Sequence, residues 1–359
     1  MPYYYQLNEK NANDQRAIKN LLELRKQLKA AIPERTHSKT LLLATWNIRD
    51  FDKPSYGTRM KESIYYIAEI IASFDIVAVQ EIYRDLTALN RLMDILGRHW
   101  KYVFSDATEG RQGNNERIAY LYDSRKVRFG GLAGELVLPS KKVKITDADG
   151  NEQTILQPVS QIWRTPLICG FQAGWAKFMI CNVHIQWGEN KAESEGRRKE
   201  IEQIASFLKD RTEDETAWAR KLILLGDFNI FSKEDTTYKV LQDHEFICPH
   251  PIENVFTNMG IKKRNYDQIL LRERKHRFEV LNGGTFEFFK YVFKDDEEAI
   301  YKPHMKRPNS SRNEDNYYKS YKMWRTHQMS DHLPLWVELR IDYTDEYLEE
   351  KLDATKNPN

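Results

Sequence analysis

The sequence predicts a layered α/β fold, and three observations predict it. Short apolar runs of strand length recur along the 359 residues, amphipathic stretches of helical period fall between several of them, and most of the runs end in a polar side chain able to do chemistry. Leu222 to Ile230, Leu-Ile-Leu-Leu-Gly-Asp-Phe-Asn-Ile, shows the pattern most fully. Its four consecutive apolar residues fit a strand buried on both faces. Gly226 then lets the backbone turn, and Asp227 and Asn229, two positions apart, project the same way if the chain stays extended. That pair could bind a metal, orient a water, or do both.

Composition sets the bounds. Hydrophobic residues make up 41% and aromatics 12%, enough for a substantial core, while the net charge of +2 leaves any basic surface to local clustering. No apolar run reaches the ~18 residues that span a bilayer, and the N-terminal residues lack the plan of a signal peptide, so a cytoplasmic location is expected. Cys169, Cys181 and Cys248 are an odd set, two of them inside apolar runs, which fits buried thiols in a reducing compartment.

Residues 1–38 read as a helical extension. Asn13 or Asp14 can cap a helix in which Ile18, Leu21, Leu22, Leu24 and Leu28 recur at helical spacing, and Pro33 stops it. Such a helix packs outside the main domain or serves self-association. Thr40 to Asp52 is an apolar strand that turns polar at Asn47. Met60, Ile64, Ile67, Ile71 and Phe74 then form a helical stripe, and Asp75 to Glu81 is a second strand ending in a carboxylate. Asn47 and Glu81 are thereby expected at one edge of a sheet.

A helix follows over Leu86 to Leu96, then a strand over Asn115 to Asp123 that starts with Glu116 and Arg117. Residues 139–157, with Asp147, Asp149, Gly150 and Asn151, read as a polar loop or hairpin tip. Trp163, Arg164, Thr165 and Pro166 lead into a strand at Leu167 to Phe171, and Lys177 to Val183 is a strand delivering His184. Glu193 to Leu208 is a charged amphipathic helix. Tyr266 to Leu271 places Asp267 at a strand start, and Met329 to Leu339 places Ser330, Asp331 and His332 just before the last strand.

A stretch of about 280–328 reads as an insertion within a domain spanning 39–341. Apolar Phe286 to Phe293 and the acidic Asp295 to Glu298 precede a basic run. Between Tyr301 and His327, Lys302, Lys306, Arg307, Arg312, Lys319, Lys322 and Arg325 outnumber Glu314 and Asp315, among Tyr301, Tyr317, Tyr318, Tyr321 and Trp324. This is either a solvated loop with anchoring aromatics or a surface for phosphates and bases, on which Lys319, Lys322, Trp324 and Arg325 would touch nucleic acid. Residues 342–359 form a charged, peripheral tail.

Asn47, Glu81, Glu116, His184, Asp227, Asn229, Asp267, Asp331 and His332 all fall at or beside strand ends. Hydrolysis of a phosphate ester needs a divalent cation, a base for the attacking water and an acid for the leaving oxygen, and this set holds the parts for all three. Magnesium takes one or two carboxylates with oxygen neighbours, which suits Glu81 with Asn47 or an aspartate. A zinc site would want Cys or clustered His, and the cysteines lie elsewhere.

In chain order, Trp46-Asn47-Ile48-Arg49, Val79-Gln80-Glu81, Asn182-Val183-His184, Gly226-Asp227-Phe228-Asn229, Tyr266-Asp267 and Ser330-Asp331-His332 resemble the endonuclease/exonuclease/phosphatase superfamily over roughly residues 40–340. The resemblance implies a four-layered α/β sandwich of two packed mixed sheets flanked by helices. Asn115-Glu116-Arg117, Arg164-Thr165-Pro166 and His184 are most similar to the pancreatic-type deoxyribonucleases. By that likeness Glu116 pairs with His184, Asp267 pairs with His332, and Glu81 holds Mg2+, with Mn2+ or Ca2+ as alternatives, beside Asn47 or Asp331. Asp227 and Asn229 would orient water and phosphate, while Arg164 and Arg117 contact phosphate.

DNA is the implied partner, cut by in-line attack of water to leave a 5′ phosphate and a 3′ hydroxyl, with either histidine as base. The chain departs from those deoxyribonucleases in its lack of an export signal, its lack of a disulfide pattern, and its insertion. Two other readings stand beside this one: a phosphoesterase of the same fold acting on a lipid headgroup or inositol phosphate, and a catalytically silent nucleic-acid-binding module.

Overall fold

The computed structural model describes residues 1–109, 114–146, 150–272, 279–306 and 318–356. Asp147, Asp149, Arg307, Arg312, Glu314, Asp315 and Tyr317, named above, lie outside the described residues. In chain order the elements are α1 (Ala12–Ala31), β1 (Thr40–Phe51), α2 (Lys61–Ile71), β2 (Ile76–Tyr83), α3 (Thr87–Leu96), β3 (Trp100–Phe104), β4 (Glu116–Asp123) and β5 (Arg128–Glu135). Next come β6 (Lys141–Thr146), β7 (Glu152–Gln157), β8 (Leu167–Ala173), β9 (Ala176–His184), α4 (Glu195–Glu213), β10 (Leu222–Asp227), α5 (Thr236–Asp243) and β11 (Asp267–Arg272). The chain finishes with β12 (Val280–Thr285), α6 (Glu298–Tyr301), α7 (Tyr321–Gln328), β13 (Leu335–Arg340) and α8 (Thr344–Lys356).

Two large mixed sheets carry the fold, in the orders β12-β13-β1-β2-β4-β3 and β11-β10-β9-β8-β5, and β6 and β7 form a separate hairpin. The two-residue period of each strand sends alternate side chains to different layers. Leu41 and Leu43 of β1 join Ile223 and Leu225 of β10 in the core between the sheets. Leu42, Ala44 and Trp46 face the other way, onto α1, α2 and α3, while Leu222 and Leu224 face α4 and α5. The architecture is therefore the four-layered sandwich of helices, sheet, sheet and helices.

Several elements differ from the expectations. Asn11, not Asn13 or Asp14, caps α1, its side-chain oxygen accepting from both of those amides. Leu21, Leu24 and Leu28 of α1 are buried in the chain's own core, whereas Leu22 is exposed. The stretch expected as an insertion supplies β12, which pairs with β13 at the edge of the first sheet, and most of its aromatic residues pack under that sheet. Phe288 lies with its ring 5.6 Å from that of Trp46, and Phe293, Tyr301, Tyr318, Tyr321 and Trp324 are buried around it. The tail is helical over α8. No helix among the described residues is long and apolar enough to cross a membrane, and all three cysteines are free thiols.

The end of the first sheet remote from His184 is held by a buried ionic cluster. Asp75 accepts from the Leu42 amide (2.9 Å), Arg35 Nε (2.7 Å) and Lys126 Nζ (2.6 Å), and Arg35 also reaches Asp123 (2.8 Å). Removing one member of such a cluster strands the others, so Asp75→Ala, which deprives buried Lys126 of its carboxylate, should cost about 3–5 kcal/mol in chemical denaturation. Burial alone would raise the Asp123 carboxyl, but hydrogen bonds from Arg125 and Arg35 hold it well below the usual carboxylate range. A depressed carboxyl contributes stability above its unfolded pKa and loses it as the pH falls. Asp123→Asn should therefore lower the denaturation midpoint at pH 7, with the gap to wild type closing below about pH 4.

Candidate active site

Strand register assembles half of the site. Asp227 at the end of β10 is paired with His184 on parallel β9 and with Asp267 on antiparallel β11. Three neighbouring strands thus present a histidine and two carboxylates side by side. Gly226 permits this: its φ is +132°, and a Cβ there would lie 2.0 Å from the Val183 carbonyl oxygen of β9. After the strand, the Asn229 amide donates to Asp227 Oδ1 (2.9 Å), and Asn229 Nδ2 donates to the Ile185 carbonyl (2.8 Å). Asn229 thereby holds the turn that aims Asp227.

The first sheet supplies the rest. Asn47 of β1 lies opposite Gln80 of β2, and regular alternation would turn Glu81 to the other face. A break in register beyond Val79, with Glu81 at φ +62°, turns it back. Asn47 Nδ2 donates to both Glu81 Oε1 (2.9 Å) and Asp227 Oδ2 (3.0 Å), bridging the sheets, and the Asp50 amide donates to Glu81 Oε2 (2.7 Å). Ser330 Oγ donates to the Asn47 carbonyl (2.6 Å) and accepts from the His332 amide (2.9 Å), and Trp46 Nε1 donates to the His332 carbonyl (2.9 Å).

Two histidine–carboxylate pairs result, each made across the sandwich. His332 Nδ1 lies 2.8 Å from Asp267 Oδ2, and His184 Nδ1 lies 3.2 Å from Glu116 Oε1. Their Nε2 atoms converge on Asp227 Oδ2, at 3.8 Å for His332 and 3.6 Å for His184. Burial pushes His184 down to about 4, with Arg164 acting the same way against Asp227 and Glu81. Burial also disfavours a charged His332, but Asp267 and Asp227 outweigh it and drive that ring well above its ordinary value. Burial would raise Glu81 too, yet His184, the Asp50 amide and the Asn47 amide hold it down at about 2. Asp227 is raised by burial, with Asp267 adding to the effect.

The donor set fits a hard cation. Asn47 Oδ1 is buried with no hydrogen-bond partner, beside a Glu81 carboxylate held in its charged form. Glu81, Glu116 and His184 are close enough together to share one ion, as are Asp227, Asp267 and His332. Each group offers two carboxylates and a single imidazole, an oxygen-rich set that suits magnesium, manganese or calcium.

Not every expected residue reaches this centre. Arg164 does, pairing closely with Glu116 through Nε. Asp331 instead faces Arg49 (3.1 Å) at the rim with its side chain 41% exposed, because Ser330 and His332 on either side of it are the residues turned inward. Arg117 follows Glu116 on β4 and so points to the opposite face, where it donates to the Ser105 carbonyl and Asp106 (both 2.9 Å). Trp324 and Arg325 are buried, Arg325 donating to the Phe293 carbonyl (2.8 Å) and pairing with Asp295 (2.6 Å), so neither offers a face to nucleic acid. Lys319 and Lys322 are exposed.

Asp50 and Lys53, which the motifs did not single out, also lie at this centre. Paired at 3.1 Å, they line a cleft of about 190 Å³ with Glu81 and Glu116. Their place directly after Trp46-Asn47-Ile48-Arg49 was the available signal.

Gly226→Ala should cost at least about 1–3 kcal/mol, since it combines a strained φ with a clash against backbone. Thermal unfolding measures the loss, and the displaced Asp227 should lower turnover even below the melting temperature.

No family model and no curated protein matches the chain. Solved structures do. An endonuclease/exonuclease/phosphatase family protein from Bacteroides thetaiotaomicron superposes with a TM-score of 0.53 at 17% identity, covering 86% of this chain and 98% of that one. A mannosyl-6-phosphatase from the same bacterium gives 0.51 at 16% identity, covering 83% and 99%. D. rerio TDP2 complexed with a single-strand DNA product gives 0.50 at 14% identity, covering 84% and 98%. At such identities the likeness speaks for architecture: the chain has the fold of the endonuclease/exonuclease/phosphatase proteins.

Proposed function

We propose that the protein is a magnesium-dependent phosphodiesterase, an endonuclease that hydrolyses DNA by in-line attack of water and leaves a 5′ phosphate and a 3′ hydroxyl. The observation that carries this reading is the convergence of two histidine–carboxylate pairs on Asp227, next to the oxygen donors Glu81 and Asn47. The fold neighbour bound to a single-strand DNA product supports a nucleic-acid substrate.

Glu81 and Asn47 would hold the cation, which when bound neutralises charge on the phosphoryl oxygens. His332 commits Nδ1 to Asp267 by a hydrogen bond, and His184 Nδ1 lies 3.2 Å from Glu116, so both Nε2 atoms are directed at the space beside Asp227. A water and a leaving oxygen placed there would each meet an imidazole nitrogen, one accepting a proton and the other giving one. Asp227 Oδ2 would orient the water, and Arg164, beside Glu116, would bring positive charge to the phosphate. A donor of that kind aimed at the developing charge is typically worth a few kcal/mol.

Supercoiled plasmid provides the test. Nicking in magnesium should vanish in EDTA, and His184→Ala and His332→Ala should each lower turnover by about 10²- to 10⁴-fold while leaving the circular dichroism spectrum unchanged. Full activity in either variant, or in EDTA, would overturn the mechanism. Release of phosphate from monoesters without nicking would move the substrate class away from DNA.

A further inference from the structure

The described aromatic residues of the stretch 301–327 are buried, and among the described residues a different aromatic surface lies against His332. The Tyr266 ring sits 5.6 Å from the His332 imidazole, and the Trp187 ring sits 5.5 Å from Tyr266. Phe231 completes the group, 5.4 Å from Trp187 and 5.8 Å from Tyr266. Phe231 is buried and forms the floor, whereas Trp187 is 39% exposed.

The surface is rigid. Arg197, fully buried in the first turn of α4, donates to the carbonyls of Trp187 (2.6 Å), Glu189 (3.2 Å), Lys191 (3.2 Å) and Ala192 (3.1 Å). Its guanidinium lies 4.9 Å from the centre of the Phe231 ring, and that of Arg264 lies 4.2 Å from the same ring. The loop that carries Trp187 is thus pinned at four points.

Charge converges on the same place. Residues 259–264 read Met-Gly-Ile-Lys-Lys-Arg, with no acidic residue among them. The segment is tied to the stretch that carries His332, the Met259 amide donating to the Asp331 carbonyl (2.8 Å) and the Leu333 amide to the Thr257 carbonyl (2.6 Å). Lys262 and Lys263 are exposed, and Arg264 is half-buried beside Tyr266. Aromatic faces flanked by cations are what an unpaired strand needs, since its bases have free faces and its phosphates are regularly spaced.

We propose that Trp187 and Tyr266 form a stacking subsite for an unpaired nucleobase next to the scissile phosphate, with Lys262, Lys263 and Arg264 taking the neighbouring phosphates. The subsite deepens the nucleic-acid reading given above and rests on it for the identity of the phosphate. It makes a single strand, or a locally unpaired stretch of a duplex, the preferred substrate, because a base within a duplex has both faces covered.

Equilibrium binding in EDTA separates the subsite from the chemistry. Deoxyadenosine 5′-monophosphate should bind about 5- to 150-fold more tightly than 2-deoxyribose 5-phosphate, the range for stacking one base on an aromatic side chain. Trp187→Ala should bring that ratio close to one, and Trp187→Phe, which keeps a ring, should retain most of it. Equal binding of the two ligands by the wild type, or a ratio unchanged in Trp187→Ala, would overturn the subsite. A protein that shows the ratio but hydrolyses no phosphoester in magnesium overturns the catalytic reading alone. One that hydrolyses sugar phosphates and binds both ligands equally overturns the subsite alone.

Discussion

The site depends on one hydrogen bond between the two sheets. Gln80 Nε2 of β2 donates to Asn182 Oδ1 of β9 at 2.6 Å, and both side chains are wholly buried between the sheets. Gln80 also reaches Thr45 Oγ1 (3.0 Å), and Asn182 Nδ2 donates to the carbonyls of Ala119 (3.1 Å) and Val79 (3.3 Å). Buried polar groups of this kind are costly unless paired, so these bonds favour the observed register, although Gln80 Oε1 itself finds no partner. In that register Glu81, the residue after Gln80, and His184, two residues after Asn182, face each other across the sheets. Every functional pairing then follows, because Glu116 to His184, His332 to Asp267 and Asn47 to Asp227 all join one sheet to the other.

Concentrating carboxylates in this way works only because their neighbours offset one another. The two imidazoles are driven in opposite directions, His184 down and His332 up, although both are buried. The difference lies in the company each ring keeps: Arg164 stands beside His184, whereas His332 is flanked by Asp267 and Asp227. Environments that push like groups apart can make an acid and a base of one residue type, the pairing the proposed mechanism calls for. The left-handed backbone at Glu81 and Asn229 belongs to the same economy, since each accepts local strain to turn a side chain or a carbonyl-bound turn toward the centre.

Aromatic residues divide between two tasks that composition alone cannot separate. Trp46, Phe288, Phe293, Tyr301 and Trp324 fill the space under the first sheet, and Arg325 lies 4.3 Å from the centre of the Phe289 ring while bonding to backbone. These side chains brace β1, and through Trp46 they brace the segment that carries His332. Trp187 and Tyr266 lie instead outside that packing, ring against ring beside His332, with Trp187 39% exposed.

Much of the layer plan was legible in the sequence, because a strand buried on both faces and a helix with one apolar stripe leave different periods in the chain. The strands that carry Asn47 and Glu81, those ending at His184 and Asp227, and those beginning at Glu116 and Asp267 were readable for that reason. So was the placing of polar side chains at strand ends, since each of them interrupts an apolar run. Weakly patterned edges were not readable: β5 carries three glycines, and β3 is only five residues long. Direction was not readable either, because it is set by register and by bulges that have no local signature. Tertiary structure alone turned Glu81 inward and buried Trp324 and Arg325. Each of these depends on which partner lies across the sheet or beneath it, and that partner is far away in the chain.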